Sequence, residues 1–273
     1  MRVTHADAPT TSPPPCIGMF DSGVGGLSVL DALRRRLPHA SLHYVGDVAF
    51  APYGERAPDQ VVARCDRIVA YLARQGARVI VIACNTATVA GIEVLRARWP
   101  ALTFVGVEPG VRPAALRTRS KRVAVMATSA TAASQRLRHL IDTFAAGVHV
   151  HVQPCPGLAT AIERDVDDGP GLDAVLVPLC TELRGAQVDT VVLGCTHYAF
   201  VAESIQALLG DGVTLIDTAA AVAERIATVC ESQTVDDGTA GTRVCSTGDI
   251  RGMASMLQRC AALTGSQVER LTL

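Results

Sequence analysis

The sequence predicts an α/β protein whose parallel sheets are covered by helices on both faces. From Cys16 onward, short apolar runs alternate with longer stretches of helical periodicity, which is typical of strands buried on both sides. Hydrophobic residues make up 49% of the 273 positions and charged residues only 19%, so the chain can bury one large core or two modest ones. An internal repeat favours two.

The candidate strands are the short apolar runs, and helical stretches separate them. Leucines recur at helical spacing from Leu27 to Leu37 and stop at Pro38, and a second apolar periodicity stops near Gly76. In chain order the candidate strands are Ile17–Phe20, Leu42–Val45, Val79–Ala83, Phe104–Val107, Val123–Met126, Val148–Val152, Val188–Leu193, Val213–Ile216 and Val244–Ser246.

The internal repeat consists of apolar runs that end in small or polar clusters. The cluster at Asp21 precedes Cys84 by about one strand-helix-strand-helix unit, and the cluster at Thr128 stands in the same relation to Cys195. Ligands of open parallel sheets bind beyond the carboxyl ends of the strands, where these clusters would lie. Two halves that face each other would therefore enclose one cleft, with a thiol on each side.

These patterns predict four segments. Residues 1–15 form a disordered tail, residues 16–108 a first α/β domain and residues 109–216 a second one, with the break near Glu108-Pro-Gly110. Residues 217–273 return to the first domain, because Val244–Ser246 supplies one more strand and a helix follows it.

Composition excludes several classes of protein. The net charge of −1 provides no basic field for nucleic acid, and the Arg34–Arg36 run is interpreted as solvated surface. Nine cysteines form no CxxC pair, so we expect neither a disulfide framework nor a metal site. Residues 1–15 have no apolar core that would make a secretory signal or a membrane span, so we expect a reduced, cytoplasmic protein.

The turn Asp21-Ser-Gly-Val-Gly-Gly26 follows one strand and opens a helix. Its backbone amides could cradle an anion, but it matches neither GxGxxG nor GxxxxGK[ST], and the Asp21 carboxylate would repel a phosphate. Asp21 makes better sense as a proton acceptor or as a partner for an ammonium group. The structural alternative is a helix cap with glycines for a tight turn.

Cys84-Asn-Thr86 and Cys195-Thr-His197 each place a thiol at a strand-to-helix junction, where the helix N-terminus favours a thiolate. A lone cysteine near a strand is usually a small buried hydrophobe, but recurrence of the pattern weakens that interpretation. His197, two residues after Cys195, could share its proton. Two such thiols could take a proton from a substrate and return it.

Three other chemistries use the same groups and explain less. Zinc needs four ligands at a structural site, and the other cysteines are scattered. A cysteine hydrolase would not account for two copies of the cysteine cluster. A redox pair between Cys84 and Cys195 requires α-carbons within about 7 Å, which leaves no room for a substrate.

Two further features, at Tyr53-Gly54 and Glu163, have an ordinary structural interpretation. Tyr53-Gly54 follows a strand and Pro52, so its phenol and amides could line the cleft, or Tyr53 could simply pack in a turn. Glu163 falls in a predicted helix, where an exposed carboxylate is the default.

Together these runs resemble the glutamate racemases of the cofactor-independent aspartate/glutamate racemase superfamily. The resemblance extends from about Ile17 to about Leu263, and the motifs are specific when found together and in this order. They are Phe20-Asp-Ser-Gly-Val-Gly-Gly26, Pro52-Tyr-Gly54, Ala83-Cys-Asn-Thr-Ala87, Gly106-Val-Glu-Pro109, Gly194-Cys-Thr-His-Tyr198 and Ser246-Thr-Gly-Asp249.

The resemblance implies two α/β domains related by a pseudo-twofold axis, with glutamate enclosed between them and no pyridoxal phosphate or metal. It assigns proton exchange on one face of the substrate to Cys84, assisted by Asp21, and on the other face to Cys195, assisted by His197 and Glu163. Implied substrate contacts are Asp21, Ser22, Tyr53, Gly54, Asn85, Thr86, Thr196 and His197.

It further implies a homodimer that supplies D-glutamate for peptidoglycan, and hence for cell wall biogenesis and cell shape, with no membrane or direct nucleic-acid partner. Many relatives have a glycine where the Ala127–Ser134 segment has an alanine. The alternatives are a racemase of aspartate or another acidic amino acid, and a non-catalytic amino-acid-binding regulator.

Overall fold

Strands and helices alternate along the chain in the computed structural model, which describes residues 16–165, 170–231 and 241–273. The predicted tail at residues 1–15 lies outside the described residues. The strands are β1 Cys16–Asp21, β2 Ser41–Gly46, β3 Ala77–Ile82, β4 Thr103–Gly106, β5 Arg122–Ala127, β6 His149–Pro154, β7 Thr190–Leu193, β8 Thr214–Ile216, β9 Gly241–Ser246 and β10 Val268–Arg270.

Helices follow most of these strands, as the periodicity predicts. No helix within the three described ranges is both long and apolar enough to cross a membrane. The α-helices are α1 Leu27–Arg36, α2 Pro58–Arg74, α3 Asn85–Arg98, α4 Val111–Arg117, α5 Ser129–Ala132, α6 Gln135–Phe144, α7 Leu158–Asp165, α8 Pro170–Gly185, α9 Ala202–Leu209, α10 Ala219–Glu231 and α11 Ile250–Gln258. Short 3₁₀ helices cover Val48–Phe50, Tyr53–Glu55, Thr196–Val201 and Ala261–Leu263.

The strands of the described residues form two sheets, and their pairing is parallel throughout. The first sheet has the order β10-β9-β2-β1-β3-β4 and the second has β6-β5-β7-β8. The predicted α/β class with parallel sheets is therefore confirmed. Both sheets share a core order in which the second strand precedes the first, third and fourth, which accounts for the repeat in the sequence.

Every predicted strand overlaps an observed one, but β10 is absent from the prediction. It is three residues long and pairs with β9 at the edge of the first sheet, where Glu269 and Arg270 are exposed. Such a short and mainly polar segment has no apolar periodicity that could reveal it. β9 itself pairs with β2, so the chain after α10 contributes to the first sheet.

Four apolar clusters cover the faces of the two sheets. Ile17 and Met19 of β1 pack toward α1, α10 and α11, whereas Phe20 packs toward α2 and α3. In the second sheet, Ala124 of β5 packs toward α7, α8 and α9, and Val123 packs toward α4 and α6. Because side chains alternate along a strand, burial on both faces requires a continuous apolar run.

Candidate active site

The molecule has two halves, the first built on the β10-β9-β2-β1-β3-β4 sheet and the second on the β6-β5-β7-β8 sheet. Cys84 and Cys195 occupy equivalent positions in these halves. Cys84 follows β3 and is the N-cap residue of α3, and Cys195 follows β7 and precedes the 3₁₀ helix Thr196–Val201. Both side chains are buried, and both line the same pocket between the halves. The pocket volume is about 80 Å³. A cavity needs roughly 10–15 Å³ of such volume to hold one water, so the pocket has room for a small solute of several atoms.

The Cys84 thiol is linked to a carboxylate through a hydroxyl. Its Sγ lies 3.7 Å from Ser22 Oγ, to which it donates, and Ser22 Oγ lies 3.4 Å from Asp21 Oδ1. Sγ also accepts from Ala87 N–H at 3.4 Å. Burial, and then the negative charge of Asp21, raise the pKa of Cys84 to about 12. The resting form of Cys84 is therefore the thiol.

Asp21 is fully buried behind the lining residues of the pocket, at the end of β1. Its Oδ1 accepts from Gly23 N–H at 2.8 Å, and its Oδ2 accepts from Thr196 Oγ1 at 3.1 Å. Burial raises the pKa of Asp21 above its ordinary value, although the charge of His197 opposes the shift. A carboxylate with a raised pKa is suited to accept a proton near neutral pH.

The Cys195 thiol belongs to a different hydrogen-bonded chain. Its Sγ lies 3.7 Å from His197 Nδ1, and His197 Nε2 lies 2.9 Å from Glu163 Oε1. Burial acts to lower the pKa of His197, but the hydrogen bonds to Cys195 and Glu163 outweigh burial and raise it well above its ordinary value. A ring protonated on both nitrogens therefore donates to the sulfur and to the carboxylate.

Glu163 lies on α7, which belongs to the second half, and its side chain reaches the turn after β1. Oε1 accepts from Val24 N–H at 3.3 Å as well as facing His197. Burial pushes the pKa of Glu163 upward, but the hydrogen bond and charge of His197 outweigh burial and hold it below its ordinary value. Glu163 is therefore partly buried and not the exposed helix carboxylate of the default interpretation, because it contacts Val24 of the first half and His197 of its own half.

The glycines after Asp21 allow the second half to approach this turn. A Cβ on Gly25 would lie 2.6 Å from Thr196 Oγ1 and even closer to His197 Nδ1. A Cβ on Gly23 would collide with Glu163 Oε1. The turn does bind anions through its amides, as its sequence suggests, but at Gly23 and Val24 these anions are the protein's own carboxylates.

The predicted substrate contacts mostly lie on the pocket wall. Ser22, Tyr53, Gly54, Asn85, Thr86, Thr196 and His197 line it, whereas Asp21 and Glu163 stand behind those residues. Tyr53 combines both interpretations offered by the sequence, because it lines the pocket while its hydroxyl is bonded to Asp47. Thr86 Oγ1 meets Thr128 Oγ1 of the second half at 2.9 Å.

In the second half, the predicted substrate contacts were Thr196 and His197, and the wall residues that follow β5 and β6 were missed. Thr128 and Ser129 follow β5, and Cys155, Pro156 and Gly157 follow β6. The available signal was the repeat itself, because Thr128 stands after β5 as Asp21 stands at the end of β1.

Comparison with known proteins places this geometry in a family. The profile of the Asp/Glu/Hydantoin racemase family matches residues 27–226. Glutamate racemase of Stutzerimonas stutzeri (strain A1501) is 45% identical over 242 residues, covering 88% of this chain and 92% of the relative. Glutamate racemase of Roseiflexus sp. (strain RS-1) is 43% identical over 247 residues, covering 89% and 91%.

Solved structures agree with this similarity. Escherichia coli glutamate racemase, in complex with L-glutamate and the activator UDP-MurNAc-Ala, has a TM-score of 0.84 at 29% identity, covering 95% of this chain and 99% of that one. Glutamate racemase RacE1 of Bacillus anthracis has the same TM-score and identity, with coverage of 95% and 98%. The chain therefore belongs to the Asp/Glu/Hydantoin racemase family and is an isomerase of the racemase class.

Proposed function

We propose that this protein interconverts L-glutamate and D-glutamate by moving the α-proton between two cysteines. The observation that carries the proposal is the pair of thiols, Cys84 and Cys195, that line one pocket and have separate proton relays. A racemase must remove a proton from one face of the α-carbon and deliver one to the other face. Two equivalent acid-base groups on one site meet that requirement.

The proposed reaction has two proton transfers. For one enantiomer the Cys84 thiolate removes the α-proton, and the electron pair left on the α-carbon takes a proton from the Cys195 thiol. The other enantiomer reacts in the reverse sense, so each turnover exchanges the protonation states of the two sulfurs. Free cysteine has a pKa of about 8.5, but burial raises that of Cys84 to about 12, so we propose that Cys84 becomes a thiolate by passing its proton to Asp21.

The helpers differ between the two sides. Asp21 receives the Cys84 proton through Ser22, because the three groups form one hydrogen-bonded chain. His197 holds a proton beside Cys195, and Glu163 keeps the ring charged and oriented. One side therefore ends in a carboxylate that readily takes up a proton, and the other ends in an imidazolium.

The α-carbon carries negative charge between the two transfers, and the pocket supplies groups that oppose it. Asn85 and Thr86 are the first residues of the fourteen-residue helix α3, whose positive end faces the pocket wall. Preorganised donors and dipoles at developing charge are often the largest contribution to catalysis. The thiols act as base and acid themselves, so we propose that the reaction needs no pyridoxal phosphate or metal.

The proposed cellular role is supply of D-glutamate for peptidoglycan by a cytoplasmic homodimer. Similarity to glutamate racemases supports this role.

α-Hydrogen exchange in D₂O tests the proposal directly. Purified protein should exchange the α-hydrogen of both enantiomers of glutamate, while Cys84→Ser and Cys195→Ser should each lose racemisation by at least about a hundredfold. Cys180→Ser is a matched control, because this buried cysteine packs in the second-half core and does not line the pocket.

Each alternative has its own outcome in the same assay. Brisk exchange of aspartate without exchange of glutamate would assign the protein to the other acidic substrate. Binding of glutamate with no exchange of any acidic amino acid would make it a binding protein. Equal rates for the wild type and both cysteine variants would exclude the two-base mechanism.

A further inference from the structure

Asp47 is a fully buried carboxylate that the proposed mechanism does not use. It follows β2, next to the end of β1, and its Oδ1 accepts from Arg64 Nη2 at 2.6 Å and from Thr247 Oγ1 at 2.8 Å. Its Oδ2 accepts from Arg64 Nε at 2.8 Å and from Tyr53 OH at 2.7 Å. A carboxylate offers about four lone-pair sites, and all of them are used here.

The donors come from three separate parts of the first half. Arg64 lies on α2, Thr247 follows β9, and Tyr53 begins the short 3₁₀ helix after β2. A buried ion pair adds little net stability, because desolvation offsets most of the attraction. A fully satisfied pair nevertheless imposes one geometry on its partners. The geometry imposed here is that of Tyr53.

Tyr53 and the adjacent Gly54 form part of the pocket wall. The Tyr53 side chain is only 1% exposed, and burial, followed by the nearby Cys65 and Asp47, raises the pKa of its phenol well above the ordinary value. The hydroxyl therefore stays protonated and donates to Asp47. Asp47 N–H also donates to the Asp21 carbonyl at 2.9 Å, which ties the wall to the strand that carries Asp21.

The Phe50 ring packs beside the Tyr53–Asp47 hydrogen bond, where it contacts the Tyr53 ring and two guanidinium groups. Its ring meets the Tyr53 ring edge to face with centroids 5.9 Å apart. The guanidinium groups of Arg56 and Arg64 lie 3.9 Å and 5.6 Å from the Phe50 centroid. Arg56 Nε also donates to the Phe50 carbonyl at 2.7 Å. The segment from Asp47 to Arg56 is therefore held by hydrogen bonds and cation–π contacts, and Arg64 contacts it at both Asp47 and Phe50.

We propose that Asp47 and Arg64 are positioning residues, which hold the Tyr53 hydroxyl and thereby fix the Tyr53–Gly54 wall against the substrate. This inference rests on the proposed racemase function. It assigns the pair a role in substrate affinity, because neither side chain lines the pocket or reaches the thiols.

Kinetics of Arg64→Met and Tyr53→Phe test the inference. Loss of the wall's anchor removes binding energy from ground state and transition state alike, so KM should rise about tenfold while kcat changes by less than about threefold. Arg64→Lys keeps the charge but loses the bidentate contact with Asp47, so its KM should lie between those of the wild type and Arg64→Met. Tyr53→Phe deletes one hydroxyl and provides a variant that retains the ion pair.

A matched control uses Arg34, which donates to Thr242 Oγ1 and to the carbonyls of Pro38 and Gly241 and does not line the pocket. Arg34→Met should lower the melting temperature and leave KM unchanged. If Arg64→Met also lowers the melting temperature without changing KM, the pair is merely structural and the inference fails.

A double-mutant cycle completes the test. In the Tyr53→Phe background, Arg64→Met should raise KM no further, because the hydroxyl that the Asp47–Arg64 pair holds is already absent. Additive effects on KM would overturn the inference, as would an unchanged KM in folded Tyr53→Phe. The wild-type rate on glutamate tests the proposed function. The ratio of variant to wild-type KM tests positioning, and it can be measured with whichever acidic amino acid the protein turns over.

Discussion

Thr196 Oγ1 donates a hydrogen bond of 3.1 Å to Asp21 Oδ2, joining the two halves of the molecule. Thr196 directly follows Cys195, and Asp21 is linked through Ser22 to Cys84. The hydroxyl beside one thiol thus holds the carboxylate behind the other. The hydrogen-bonded chains behind the two thiols are therefore in direct contact, but they contain different groups. We expect a change on one side to affect the kcat values of the two reaction directions differently.

Replacement of Asp21 by asparagine should lower kcat by roughly a hundredfold, because a neutral amide cannot accept the Cys84 proton. The equilibrium constant between enantiomers is unity, so kcat/KM must fall equally in both directions. The asymmetry will appear in kcat and in the isotope effect measured with α-deuterated L- and D-glutamate. His197→Asn should show the opposite asymmetry, and equal kcat losses in both directions for both variants would contradict the assignment.

Glu163→Gln should move the basic limb of the kcat–pH profile to lower pH. Glu163 helps to raise the pKa of His197, so its neutral replacement lets the ring lose its proton at a lower pH. The shift can be measured from the pH profile and by NMR titration of the ring. Glu182→Gln is the matched control, since Glu182 faces His151 at 3.6 Å outside the pocket. An unshifted profile in Glu163→Gln would exclude this role.

Gly25→Ala should reduce kcat by about a hundredfold, because the added methyl group would displace His197 and Thr196. Circular dichroism and thermal unfolding establish that the variant is folded before its rate is measured. Gly212→Ala serves as the control, since no atom lies within 4 Å of a Cβ at that position. Wild-type activity in Gly25→Ala would mean that catalysis does not require close approach of the two halves.

His43→Gln should reduce the loss of stability in acid. His43 is buried against Tyr71 and Cys245, and burial, followed by the charge of Arg243, lowers its pKa to about 4. Between pH 6.5 and that value the unfolded chain binds a proton that the folded protein excludes, so stability falls as pH falls. Across this range the free energy of unfolding of the wild type should fall by up to about 3 kcal/mol more than that of the variant.

Urea unfolding at pH 7 and pH 4.5 measures that difference. His39→Gln is the comparison, because His39 is exposed. Parallel stability curves for the wild type and His43→Gln would show that His43 is not responsible for the acid sensitivity.

The strands and both thiols were accessible from sequence because their signals are contiguous. A strand buried on both faces needs an unbroken apolar run, and Cys84 and Cys195 each follow one closely. The proposed role of Glu163 was accessible only through the family resemblance. Its local sequence is that of an ordinary helix, and the residues that bury it, Val24 and His197, lie 139 and 34 positions away.

The Asp47 network shows the same limit. Asp47, Arg64 and Thr247 carry no common motif, and Thr247 lies 200 positions from Asp47. Their donors and acceptors meet because β9 pairs with β2 and places the two strand ends side by side. The register of that pairing places Thr247 beside Asp47, and the packing of α2 on the sheet brings Arg64 to the same carboxylate.

The sequence by itself determined the α/β class, the internal repeat and two thiols at strand ends, because these depend on the pattern of neighbouring residues. Tertiary structure decided which groups stand behind each thiol: Ser22 lies between Cys84 and Asp21, Thr196 contacts Asp21, and Glu163 lies behind His197. The contacts of Thr196 and Glu163 with the Asp21 turn join the two halves of the molecule, which are built on two different sheets. They form because glycines at 23 and 25 let those sheets pack closely, a condition that no local pattern encodes.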